Sequence, residues 1–120
     1  MTRPLLEKPS SVAPPVKSAR LTRARRTTLL KALADPMRFD LLERVARNSC
    51  PLGCTEALKA LPIAAATLSH HIKELESAGL IHVERQGKFH FLSLRPGVLS
   101  ALAASLDLIE TTAIDLPRKY

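Results

Sequence analysis

The stretch from Thr55 to Leu94 constrains the fold of this chain more than any other. A short helical run, Thr55 to Ala60, is interrupted at Leu61-Pro62, because proline is not tolerated inside an α-helix. A longer run, roughly Ala64 to Ala78, places Leu68, Ile72 and Leu75 on one face and stops at Gly79, a residue suited to the left-handed conformation that closes a helix. Two β-type runs follow at once, Leu80 to Glu84 and Phe89 to Leu94, flanking Arg85-Gln86-Gly87-Lys88. The glycine accepts positive φ, so a hairpin with a two-residue turn at Gln86-Gly87 is expected. Two helices joined by a tight turn and followed directly by a basic-tipped hairpin predict a winged helix-turn-helix. In that arrangement the second helix enters the major groove and the hairpin tip reaches the flanking backbone.

The flanking segments fit this centre. Residues 1–19 hold Pro4, Pro9, Pro14 and Pro15 among Ser and Lys, a composition without the apolar pattern of a core element, and are read as a disordered basic arm. A moderately amphipathic first helix spans Leu21 to Ala34, and Asp35-Pro36 ends it and starts a second, with Asp35 as cap and Pro36 at the first helical position. Met37, Leu41, Leu42, Val45 and Ala46 form the apolar stripe of the second helix, and Asn48 to Gly53 reads as turn. A last helix, Val98 to Asp115, carries Leu99, Leu102, Leu106, Ile109, Ala113 and Leu116 at alternating spacings of three and four. That a/d pattern suits a helix lying along another, either within the domain or, the preferred reading, across a two-fold dimer seam formed by Leu99, Leu102, Leu106, Ile109 and Ala113. The expected fold is mainly α with a small β-hairpin, a dimeric winged helix-turn-helix domain at 20–116 between the arm and a tail at 117–120.

Charge narrows the partner. The formal net charge is +7, but residues 1–34 hold eight Lys or Arg against Glu7 alone and so carry all of it. The rest of the chain is neutral, and a basic arm, not a uniformly basic domain, is what the charge supports. With no Trp, one Tyr and three Phe, the chain is poorly provided with the stacking platforms of RNA and single-strand binders. Double-stranded DNA is the expected partner. A winged-helix module for protein interaction is the competing reading, favoured by the neutral domain and the alanine-rich start of the recognition helix. An enzyme finds no phosphate loop, triad order or strong metal spacing. Without an apolar run of spanning length or a secretory signal, a cytoplasmic location is expected.

On the recognition helix, Thr67, Ser69, His70 and Lys73 lie away from the Leu68, Ile72 and Leu75 stripe. Thr67, Ser69 and His70 are candidates for base edges or phosphates, and Lys73 for a phosphate. Arg85 and Lys88 are the wing's electrostatic candidates. His71, on the core side of the helix, is read as structural; His70 and His71 point about 100° apart, and His82 and His90 fall on opposite faces of the hairpin, so no histidine pair forms a metal site. No cofactor is required. Cys50 and Cys54, spaced CxxxC, are reduced thiols where the third helix begins. Cys54 is a packing residue on one reading; on another the two thiols sense a soft metalloid or oxidation and move the helix-turn-helix.

Leu33-Ala34-Asp35-Pro36-Met37-Arg38, Leu68-Ser69-His70-His71-Ile72, Leu75, Ala78-Gly79-Leu80-Ile81 and Arg85-Gln86-Gly87-Lys88, in this order, resemble the arsenic-repressor (ArsR/SmtB) family over about residues 27–115. The resemblance implies a homodimeric winged-helix repressor, joined through its first and last helices and released from DNA by an inducer. Three features depart from the family pattern. Ala64-Ala65-Ala66 stands where a Ser-Gln-Ser type stretch opens the recognition helix. Cys50 and Cys54 replace a three-cysteine CxCxxC site. The last helix offers Asp107 and Glu110 but no histidine for the family's Asp/His site.

Overall fold

A computed structural model describes residues 21–115; the expected arm at 1–19, the tail at 117–120 and Leu116 lie outside them. The described chain falls into two units, Thr22–Arg95 and a segment from Pro96 that contains the last helix. The first holds α1 (Arg23–Leu33), α2 (Pro36–Arg47), β1 (Leu52–Gly53), α3 (Cys54–Ala60), α4 (Ala65–Ser77), β2 (Ile81–Gln86) and β3 (Phe89–Leu94); the second holds α5 (Val98–Asp115).

The first two helices start on side-chain caps. The Thr22 hydroxyl accepts the Arg25 amide at 3.0 Å. The Asp35 carboxylate accepts the amides of Met37 and Arg38 at 2.9 and 3.0 Å, with Pro36 in the first turn. Those bonds are made to the charged carboxylate, and the Arg38 amide above all holds the Asp35 pKa below its ordinary value, with His71 and Met37 helping. α3 and α4 start without such a bond, with Gly53 and Ala64 in their cap positions.

The core of the Thr22–Arg95 unit is aliphatic. Leu29, Leu41, Leu75, Leu80, Ile81 and Leu92 are its largest fully buried side chains; α2 packs on β3, α4 on β2 and α1 on α2. α4 ends in a glycine-closed turn. Gly79, at φ +80, donates to the Glu76 carbonyl, and Leu80 donates to the Leu75 carbonyl at 3.0 Å. Leu75 and Leu80 are both fully buried, completing the hydrophobic contact typical of this cap.

Two details of the sheet differ from the sequence expectation. Leu52-Gly53, read as turn, is a strand; it pairs antiparallel with Leu92 and Phe91, so the hairpin gains a third strand in the order β1-β3-β2. The wing turns at Gly87-Lys88 instead of Gln86-Gly87, because Gln86 pairs with Phe89 and Arg85 with His90. Gly87 has φ +63, which fits the first position of a tight hairpin turn. His82 and His90 remain on opposite faces in this register. In α5, Leu102 is buried and Leu99 half-buried, whereas Leu106, Leu108 and Ile109 are exposed. No helix among the described residues is long and apolar enough to cross a membrane.

Candidate nucleic-acid interface

The recognition helix α4 has three distinct sides. Leu68, His71 and Leu75 are buried, and His71, at 5% exposure, sets Nε2 3.9 Å from the Asp35 carboxylate. Ala66, Thr67, Ser69, His70 and Lys73 are exposed. At about 100° per residue, Ala66 and Lys73 project almost opposite the buried side with His70 beside them, Thr67 lies on one flank, and Ser69 on the other, toward the wing. That wing-side flank, α3 and the hairpin enclose a cleft of about 530 Å³ with Cys54, Ser69, Lys73, Glu76 and Arg85 in its walls. The structure thus brings Ser69, Lys73 and Arg85 together in one cleft. Thr67 and His70 are not part of its lining.

The two cations of the wing stand in different environments. Lys88 occupies the turn itself, exposed, with its ammonium 6.0 Å from the centre of the Phe89 ring. Arg85 sits on β2 below the tip, and both of its terminal nitrogens donate to the Glu76 carboxylate, at 3.1 and 3.3 Å. This hydrogen bonding holds the Glu76 pKa below its ordinary value and raises that of Arg85. Glu76 is the residue that reading the sequence missed. Its only signal was a carboxylate in the last turn of a helix on the flank facing the wing.

Two arginines, Arg25 of α1 and Arg38 of α2, serve structure. Arg25 of α1 donates through Nη1 to the carbonyl of Ala78 at the end of α4. Arg38 reaches back to the carbonyls of Lys31 and Ala32, at 3.4 and 3.1 Å, closing the end of α1. Both arginines donate to carbonyls at helix ends, where intrahelical partners run out; the Lys31 carbonyl also accepts the Ala34 amide.

Cys50 is exposed and Cys54 half-buried, and both are free thiols. Burial pushes the Cys54 thiol pKa up, more than the nearby Arg85 pulls it down. Among the described residues no group of three or more His, Cys, Asp or Glu side chains is placed to hold a metal ion.

Comparison with known proteins agrees with this architecture. Residues 33–84 match the model of a helix-turn-helix domain family. The chain is 32% identical over 87 residues to an arsenical resistance operon repressor of Staphylococcus xylosus, an alignment covering 72% of this chain and 81% of that protein. Among solved structures, an ArsR family transcriptional regulator, RHA00566, superposes with a TM-score of 0.74 at 24% identity, over 82% of this chain and 99% of the other. The homodimeric winged helix-turn-helix DNA-binding domain of Mb0332 from Mycobacterium bovis superposes at 0.59 with 18% identity, over 81% and 88% of the two chains.

Proposed function

The chain belongs to the ArsR family of transcriptional regulators, and from that premise we propose that it is a homodimeric repressor that binds a two-fold operator in double-stranded DNA. One observation carries the reading: the exposed Thr67, Ser69, His70 and Lys73 lie around the recognition helix away from its buried side, with a lysine-tipped wing on the adjoining sheet. Thr67, Ser69 and His70 supply the contacts to base edges or phosphates. Lys73 and Lys88 are the flexible point charges that fix position on phosphates.

Dimerisation runs along α5, whose Leu106 and Ile109 are exposed at 48% and 64% and continue the Leu99 and Leu102 spacing toward Ala113. A two-fold dimer then presents two recognition helices to half-sites about one helical turn apart. Purified protein on the DNA upstream of its own gene should give two protected regions related by a two-fold axis. A monomer with no preference over random duplex removes the reading.

Release by an inducer follows from family membership, and its candidate seat is Cys54, which opens α3 and lies in the cleft with Arg85. The residues do not fit a metalloid centre of three thiolates: the chain has two cysteines, and burial pushes the Cys54 thiol pKa up. Thiol oxidation at Cys50 and Cys54 is the form of sensing left to the two residues, with the exposed Cys50 the more accessible of them. Replacing Cys50 and Cys54 with Ser should abolish induction by thiol-directed agents in cells; unaltered induction removes the sensing role.

A further inference from the structure

We propose that Glu76 is a positioning residue for DNA recognition: it locks the wing to the recognition helix through Arg85, withdraws that cation from phosphate binding, and thereby sharpens discrimination between operator and random duplex. This rests on the DNA-binding reading above. The bond is a two-nitrogen, two-oxygen fork, the geometry in which arginine holds carboxylates and phosphates alike. A DNA phosphate must therefore compete with a carboxylate already seated in the Arg85 fork. Lys88 and Lys73 face no such competitor among the ion pairs of the described residues.

Both ends of the bridge are anchored. Glu76 precedes the glycine-closed end of α4 by one turn, beside fully buried Leu75. Arg85 follows buried Val83 on β2 and pairs across the sheet with His90, one residue pair below the last pair before the turn. The bond thus fixes the angle between two elements that contact DNA at separate places. Random duplex binding is almost wholly phosphate electrostatics, whereas operator binding also needs helix and wing in register. A carboxylate that removes one cation and sets that register weakens the first and supports the second.

The test uses the full chain and two duplexes, the tightest binder that the wild type selects from a random pool and a scrambled version of it, each titrated over a range of salt. Glu76→Gln frees Arg85, so scrambled-duplex affinity should rise on the order of fivefold, its log–log salt slope should steepen by about 0.9, and the preference for the selected duplex should fall accordingly. Arg85→Ala alone should leave the slope near wild type, and the double variant should match it. The charge-swapped Glu76→Arg, Arg85→Glu protein, which rebuilds the bridge in reverse, should recover the preference; this variant decides the matter if Glu76→Gln folds poorly. The proposal is overturned if Glu76→Gln leaves slope and preference unchanged, if Arg85→Ala flattens the slope by a full unit, or if the swapped protein fails to recover preference. A wild type that selects no duplex at all removes the DNA reading, and this proposal with it.

Discussion

At the scale of single residues, three side chains, Arg25, Asp35 and Glu76, combine charge with structural duty, and the consequences are measurable. Gly79 sits at φ +80, and a Cβ there would lie 2.5 Å from the Arg25 guanidinium that caps α4. Gly79→Ala must adopt the left-handed region at about 1–2 kcal/mol and push Arg25 aside as well. Urea unfolding should therefore show a loss at or above that figure. Asp35 and Glu76 both have pKa values lowered in the folded state from ordinary values of 3.8 and 4.5. A depressed carboxylate stabilises the fold above its unfolded pKa and loses that contribution as pH falls through its folded pKa. Stability from these groups should be level from neutral pH down to about pH 5 and decline below about pH 4. Unfolding midpoints measured from pH 6 to 3 check this, and Asp35→Asn should flatten the acid limb.

At the scale of elements, what the sequence disclosed follows the range of the forces involved. Helix ends governed by adjacent residues were legible: Asp35-Pro36 places the start of α2, and Gly79 the end of α4. α5 begins at Val98, one residue before Leu99 opens the a/d spacing. β1 was not legible, because two residues between Pro51 and Cys54 have no periodicity of their own and become a strand only when the β3 edge offers Leu92 and Phe91 as partners. The wing turn shifted by one residue for a related reason. Local glycine chemistry allowed either register, and pairing along the whole strand selected Gln86 opposite Phe89. The exposed face of α4 could be read from its spacing, but the Glu76–Arg85 bridge could not, since it joins residues of different elements that only the fold brings together. The same helix yields a stability prediction. Ala64 has the extended backbone of a cap, φ −74 and ψ 157, and no side-chain bond. Ala64→Ser should accept an amide of the first turn and raise stability by about 1 kcal/mol, read as a higher urea midpoint with unchanged slope.

At the scale of the whole molecule, the recognition surface of one chain is small, and affinity for an operator depends on joining two such surfaces. Leu106, Leu108 and Ile109 are exposed at 48%, 57% and 64%, apolar area on a helix whose proposed seam residues fall three and four apart. A second copy of the same helix satisfies that spacing on both sides at once, as a two-fold contact requires. Leu106→Glu with Ile109→Glu places two carboxylates on each side of the seam, where like charges and lost apolar burial both oppose association. The variant should sediment as a monomer, with helix content unchanged by circular dichroism because its charges fall on exposed positions. Each half-site contact survives in that monomer, but the second is no longer tethered to the first, so operator affinity should fall by about 10²–10⁴ while binding to random duplex changes far less. A variant that remains dimeric and retains its operator affinity would move the dimer contact away from this stretch of α5.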